Sequence, residues 1–155
     1  MTSAIEVTME HAKLLARHLS HCDYAIIIHL VLCELSVAPK NEGFVFLKKA
    51  VSTHYENPLC NLQQDVYSKI SLEIDGAENS RRVEQSIRRA IEEAWKTRNE
   101  AIWEMIFLDP RAGTLERPSN GDFIAGVSWF VELCTGFYKE VAYEERTAAG
   151  SAGRV

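Results

Sequence analysis

The sequence lacks several features that would point to an enzyme or a metal protein. Its four cysteines are scattered and form no CxxC pair. It has no phosphate-binding glycine loop, no HExxH run and no G-x-S-x-G nucleophile elbow. We therefore expect a protein that is not an enzyme, with no catalytic residue, no cofactor and no resident metal.

The chain also lacks a long hydrophobic run. The longest apolar stretch, residues 24–33, is interrupted by His29 and is about half the length that a membrane span requires. We interpret it as a buried helix and expect no membrane contact. Charged side chains interrupt the N-terminus from Glu6 onward, unlike a secretory signal, and with scattered cysteines this predicts a cytoplasmic protein with reduced thiols.

No strand-like alternation, internal repeat or coiled-coil heptad occurs, whereas helical periodicity recurs throughout. The pattern predicts an all-α protein, a compact multi-helix bundle. Residues 59–65 are ambiguous. The helices are predicted at 4–20, 23–37, 43–56, 66–74, 80–98, 101–108 and 123–143.

The most informative segment is residues 79–98, which read as one long amphipathic helix. Its apolar stripe at 100° per residue consists of Val83, Ile87, Ala90, Ile91 and Ala94. The opposite half carries Arg81, Arg82, Gln85, Arg88, Arg89 and Lys96. Arginine and glutamine side chains read guanine and adenine edges in a major groove. The alternative interpretation is a solvated charged face, as on most such helices.

Charge is distributed unevenly along the chain. The net charge is −5, yet residues 81–98 hold six basic and three acidic side chains. This segment therefore carries a local charge of +3 and the rest of the chain −8. A basic patch on an acidic body suits a protein that touches DNA along one surface.

The long helix forms the second half of a predicted helix-turn-helix. Helix 66–74 comes first, Asp75-Gly76 marks the turn, and Asn79 or Ser80 can cap the second helix. In that arrangement the first helix braces the phosphate backbone and the second enters the groove. Any helical hairpin can imitate this spacing, so the pattern alone is only moderately specific.

Three further segments make the assignment more specific: GFVFLKKAVSTHYENP (43–58), RRVEQSIRRAIEEAW (81–95) and RPSNGDFIAGV (117–127). In this order and spacing they resemble the C-terminal DNA-binding effector domain of the sporulation-initiation response regulator, stage-zero protein A of endospore-forming bacteria. The resemblance covers about residues 26–133. It implies a six-helix bundle that binds short promoter boxes, often as two adjacent copies, and activates or represses transcription.

The resemblance also implies roles for individual residues. Arg82, Glu84 and Arg88 match the family's recognition helix, with the arginines on groove or phosphate and Glu84 on a cytosine amine or a neighbouring arginine. Gln85 replaces an expected basic residue, which leaves the preferred base open. Arg89 replaces a histidine-like position, and Ser68 stands where proline is common.

The chain departs from the family at its N-terminus, where only some 25–35 residues precede the matching region. We expect an N-terminal helical extension at 1–22, a helix-turn-helix effector-like domain at 23–145 and a disordered tail at 146–155. Without a receiver domain, the chain would not be switched by its own aspartyl phosphorylation. It would be constitutive, regulated by its level, or controlled by a partner that docks on the added helix.

Two hypotheses follow for function. The first is a sequence-specific transcription regulator that binds double-stranded promoter DNA, with Arg82, Gln85, Arg88 and Arg89 at the groove. Arg81, Lys96 and Lys69 would lie nearer the phosphates. The second is an interaction module that keeps the bundle without binding DNA, as a decoy or adaptor for a regulator or RNA polymerase. RNA polymerase is a possible partner in either case, and the N-terminal helix could support a homodimer.

Two other groups of residues suggest different functions, a zinc site and a set of partner anchors. His18, Cys22, His29 and Cys33 have spacings of 4, 7 and 4, which would align them on one continuous helix as zinc ligands. A single helix rarely supplies four ligands to one ion, and residues 20–23 are expected to break the helix, so packing is the favoured role. The three tryptophans could anchor a partner, but large aromatic side chains are more often core.

Overall fold

A computed structural model describes residues 4–109 and 111–152 of the chain. Within these residues every regular element is a helix, which confirms the predicted all-α bundle. A short π-helical segment, π1, runs directly into α4. In chain order the elements are α1 (Ala4–Leu19), α2 (Tyr24–Glu34), α3 (Glu42–Glu56), π1 (Leu62–Ser68), α4 (Lys69–Asp75), α5 (Ser80–Lys96), α6 (Glu100–Phe107) and α7 (Asn120–Ala152).

The core is built around the first half of α7, against which α1, α2 and α3 all pack. The contribution of α1 is Ala12 and Ala16, both fully buried. Burial raises the pKa of the Cys134 thiol to about 12, so this group stays protonated and packs as a small apolar side chain. The helical period of this segment predicts a buried row on α7, and all five of its residues are fully buried, together with Ile124: Phe123, Val127, Phe130, Val131 and Cys134.

The long helix α7 has a sharp start, as its sequence predicts. The Ser119 hydroxyl accepts a hydrogen bond from the Asp122 amide at 3.1 Å, which caps the first turn. The helix α7 runs to Ala152 and so includes residues 146–152, which the sequence predicts to belong to a disordered tail. Residues 153–155 of that predicted tail lie outside the described residues.

The helix α2 differs from its prediction at both its end and its surface. It ends at Glu34 instead of Val37, because Ser36 adopts a positive φ of 68° and the Val37 amide turns back to the Leu32 carbonyl at 3.0 Å. It is also only half buried, since Ile26, Leu30 and Cys33 are exposed on its outer side. Helical periodicity does not reveal which side of an apolar helix a neighbour covers.

The helix-turn-helix consists of π1 with α4, a turn and α5. The first helix begins at Leu62, four residues before its predicted start, with the Asn61 side chain accepting from the Gln64 amide at 3.0 Å. Gly76 ends α4 in the left-handed conformation, as Asp75-Gly76 predicts. Ile74, four residues after the buried Ile70, is 44% exposed at the end of α4.

The start of α5 is stabilised differently from the predicted side-chain cap. Asn79 occupies the capping position, but its side chain makes no capping hydrogen bond. Its backbone amide instead donates to the buried Ser71 hydroxyl on α4 at 2.9 Å. This bond ties the beginning of α5 directly to the first helix of the motif.

The short helix α6 closes the bundle with an aromatic cluster. The helical period of this segment predicts Ile102, Met105 and Ile106 on the inward face. Of those three only Met105 is buried, and Trp103 is fully buried as well. The Trp103 indole donates to the Leu35 carbonyl at 3.2 Å, which satisfies its polar atom. The rings of Trp95, Phe107 and Phe123 surround it.

No helix in the described part of the chain is long and apolar enough to cross a membrane.

Candidate nucleic-acid interface

The amphipathic reading of α5 is confirmed on its apolar side. All five residues of the stripe are buried: Val83, Ile87, Ala90, Ile91 and Ala94. Gln85 points away from this stripe, and the side chains around it are exposed: Arg81, Arg82, Arg88, Arg89 and Lys96. Lys69, on α4, is exposed as well, and Glu84 is half buried. The helix therefore presents a continuous polar, mainly basic surface.

Close packing of α3 against α5 holds this surface in place. Gly43 is buried at the start of α3, where a Cβ atom would lie 2.6 Å from the Ser86 carbonyl oxygen and 2.7 Å from the Ala90 Cβ. Both neighbours belong to the rigid part of α5 and cannot move aside cheaply. Only glycine allows the two helices to approach this closely.

Arg82 is engaged within the protein. Its guanidinium bonds both carboxylate oxygens of Asp75, at 2.6 and 2.7 Å, and also contacts the Glu42 carboxylate. The hydrogen bond and the negative charge of Asp75, with the charge of Glu42, raise the pKa of Arg82. The Ser86 hydroxyl donates to the other Glu42 oxygen at 3.1 Å. Arg82 thus joins α5 to the turn and to α3.

The remaining candidate residues are held loosely or not at all. Arg88 approaches Glu84 at 3.4 Å and Lys96 approaches Glu93 at 3.1 Å, each across one turn on the polar surface of α5. Such exposed pairs contribute little and exchange readily. Within the described residues, no hydrogen bond or ion pair engages the side chains of Arg81, Gln85, Arg89 and Lys69.

The opposite flank of α5 faces π1 and the start of α7. There Asn120 donates from its amide to the Glu84 carbonyl at 3.1 Å and to the Tyr67 hydroxyl at 3.4 Å. Burial raises the pKa of Tyr67, so its hydroxyl stays protonated. A cavity of about 390 Å³ opens beside these contacts, and its lining includes Gln63, Arg88 and Arg117.

Several of these residues were missed at the level of sequence. Nothing local links Glu42 to Arg82, because forty positions separate them and the contact exists only once α3 packs on α5. From the sequence, Asp75 is predicted only to mark the turn. Arg117 does lie in the segment RPSNGDFIAGV, which could have marked it, but only the fold brings it beside α5.

The rival constellations are not assembled. The helical conformation is interrupted between α1 and α2, so His18, Cys22, His29 and Cys33 do not share one helix. Across the described residues, no group of three or more His, Cys, Asp or Glu side chains could hold a metal ion. Trp103 is core, Trp95 is partly buried against it, and Trp129 is 40% exposed.

Fold and surface together define a class of protein: a helical bundle that displays the second helix of a helix-turn-helix with an arginine-rich outer face. Residues 28–131, two thirds of the chain, match the family described as sporulation initiation factor Spo0A C terminal. The chain therefore belongs to this family, which consists of DNA-binding effector domains and not of enzymes. No curated protein matches the chain.

Proposed function

We propose that this protein is a sequence-specific transcription regulator that binds double-stranded promoter DNA with α5 in the major groove. The observation that carries the proposal is the division of α5 into a fully buried apolar face and an exposed face rich in arginine. Membership of a DNA-binding family supports it. An α-helix with its side chains is about 10–12 Å across, which matches the width of the major groove.

In this proposal, some residues of the surface contact DNA bases and others contact the DNA backbone. We assign base contacts to Gln85, Arg88 and Arg89, whose side chains are exposed on α5, and phosphate contacts to Arg81, Lys96 and Lys69. Glu84 lies 3.4 Å from Arg88, which suits the role of orienting that arginine. Arg82 can reach DNA only after it gives up Asp75 and Glu42, so its place at the groove depends on that exchange.

Selection of bound fragments from a random DNA pool tests the function and supplies the preferred box. On that box, Arg88→Ala should abolish sequence discrimination, a loss of about 1–3 kcal/mol if the contact is bidentate. Lys96→Ala is the matched control on the same helix, and it should weaken all duplexes alike. Equal binding of the box by both variants and the parent protein would show that the groove assignment is wrong.

A second candidate function is an interaction module that does not bind DNA, such as a decoy or adaptor for a regulator or RNA polymerase. The engagement of Arg82 by two carboxylates and the overall charge of −5 favour it. The salt dependence of binding to random duplex separates the two candidates. Several phosphate contacts produce a steep loss of affinity with salt, whereas an adaptor shows no binding to lose.

Other properties stay predictions from sequence. They are the homodimer, contact with RNA polymerase, the cytoplasmic location and the absence of control by aspartyl phosphorylation within the chain. The division into extension, effector-like domain and tail also stays a prediction, although α1 packs directly on α6 and α7.

A further inference from the structure

Arg117 lies outside the helix-turn-helix, on the connection between α6 and α7, yet it reaches the recognition helix. Its guanidinium approaches the Glu92 carboxylate on α5 at 3.5 Å, and about half of its side chain is exposed. Glu92 lies one turn beyond Arg88 on the same helix. Arg117 is therefore positioned beside the C-terminal half of α5.

The backbone around Arg117 is anchored to α5. Pro118 restricts the chain directly after it, and Asn120 bonds to the Glu84 carbonyl and to the buried Tyr67 hydroxyl. These contacts fix the segment against both helices of the motif. An arginine on an anchored segment loses less freedom on binding than one on a free loop.

Two arginines from separate segments line the cavity on this flank, Arg88 from α5 and Arg117, whereas the amide of Gln63, which also lines it, donates to the Ser80 hydroxyl at 2.7 Å. The carboxylates of Glu84 and Glu92 line it too, but each meets its arginine at 3.4–3.5 Å, longer than a strong charge-assisted hydrogen bond of about 2.8 Å. A phosphate oxygen can therefore replace a carboxylate here at low cost.

A helix that fills the major groove has a sugar-phosphate strand along each flank. On the α3 flank, Arg82 lies where it could meet such a strand, but two carboxylates already bind it. We propose that Arg117 binds a backbone phosphate of the DNA strand on the α7 flank. The ligand is a phosphodiester of duplex DNA, and the inference rests on the proposed function.

The test measures the affinity of the full chain for the selected box and for a random duplex across a series of salt concentrations. Arg117→Ala should weaken both duplexes alike, by about fivefold to tenfold, and reduce the salt slope by about 0.9. Arg111→Ala is the matched control, because Arg111 is an exposed arginine on the same connection. Arg117→Lys, which keeps the charge, should restore the slope.

A double-mutant cycle sharpens the test. Glu92→Gln removes the carboxylate that competes for Arg117 and should strengthen binding by about twofold to fivefold, a gain that Arg117→Ala should largely abolish. If Arg117→Ala matches Arg111→Ala while the parent protein binds DNA, this site is overturned and the proposed function stands. If the parent protein binds no duplex at any salt concentration, both are overturned.

Discussion

Arginine side chains on the two flanks of α5 differ in how closely carboxylates contact them. Facing α3 and the turn, Arg82 is bound by Asp75 and Glu42, with both Asp75 oxygens within 2.7 Å. Facing π1 and α7, Arg88 and Arg117 each meet one carboxylate at 3.4–3.5 Å. An arginine on this surface is thus engaged by carboxylates on one flank and is an available cation on the other.

The difference follows from what packs on each flank. The helix α3 comes so close at Gly43 that its first carboxylate, Glu42, reaches Arg82 and Ser86. On the other flank the contact is made by the Asn120 amide, which binds the backbone of α5 and leaves the arginines exposed. Three changes test this contrast.

The largest effect is expected at Gly43. Gly43→Ala places a methyl group within 2.7 Å of α5, which should force α3 and α5 apart and lower the free energy of unfolding by about 1–3 kcal/mol. Urea denaturation measures the change. The matched control is Gly136→Ala on α7, where a Cβ atom meets nothing within 4 Å and helix propensity should add up to about 1 kcal/mol. Equal stability of both variants would contradict the close approach.

A smaller effect is expected on the other flank. Asn120→Ala removes the hydrogen bonds to the Glu84 carbonyl and the Tyr67 hydroxyl and should cost about 1 kcal/mol in urea denaturation. It should also weaken DNA binding slightly, because Arg117 loses its anchor. The control is Asn41→Ala, since the Asn41 side chain caps no amide of α3. A loss of stability as large for Asn41→Ala would count against this role.

The smallest effect on stability is expected for the double variant Glu42→Gln with Asp75→Asn, because the ion pairs of Arg82 are exposed. The Tm should fall only slightly, whereas the salt slope of DNA binding should steepen by up to about 0.9 as Arg82 becomes available. Adding Arg82→Ala should cancel that gain. The control removes two charges elsewhere, with Glu104→Gln on α6 and Glu132→Gln on α7, both exposed, and should leave the slope nearly unchanged.

Helices and faces could be predicted well from local periodicity. The buried stripe of α5 and the buried row of α7 both follow from residues three and four positions apart, which the helix itself brings together. The ends of helices were less predictable: α2 stops at Glu34, just before the positive φ of Ser36, and the first helix of the motif starts at Leu62 as a π-helical segment. Such details depend on hydrogen bonds that no spacing rule contains.

The long amphipathic helix α5, its basic face and the family of the chain were determined by the sequence alone, because each is a property of consecutive residues. Which of its arginines are available was decided by the tertiary structure. Glu42 lies 40 positions from Arg82, and Arg117 lies 25 positions from Glu92, so only packing sets those distances. Electrostatic contacts act through space, and this fold brings carboxylates close to one flank of α5 and only loosely to the other.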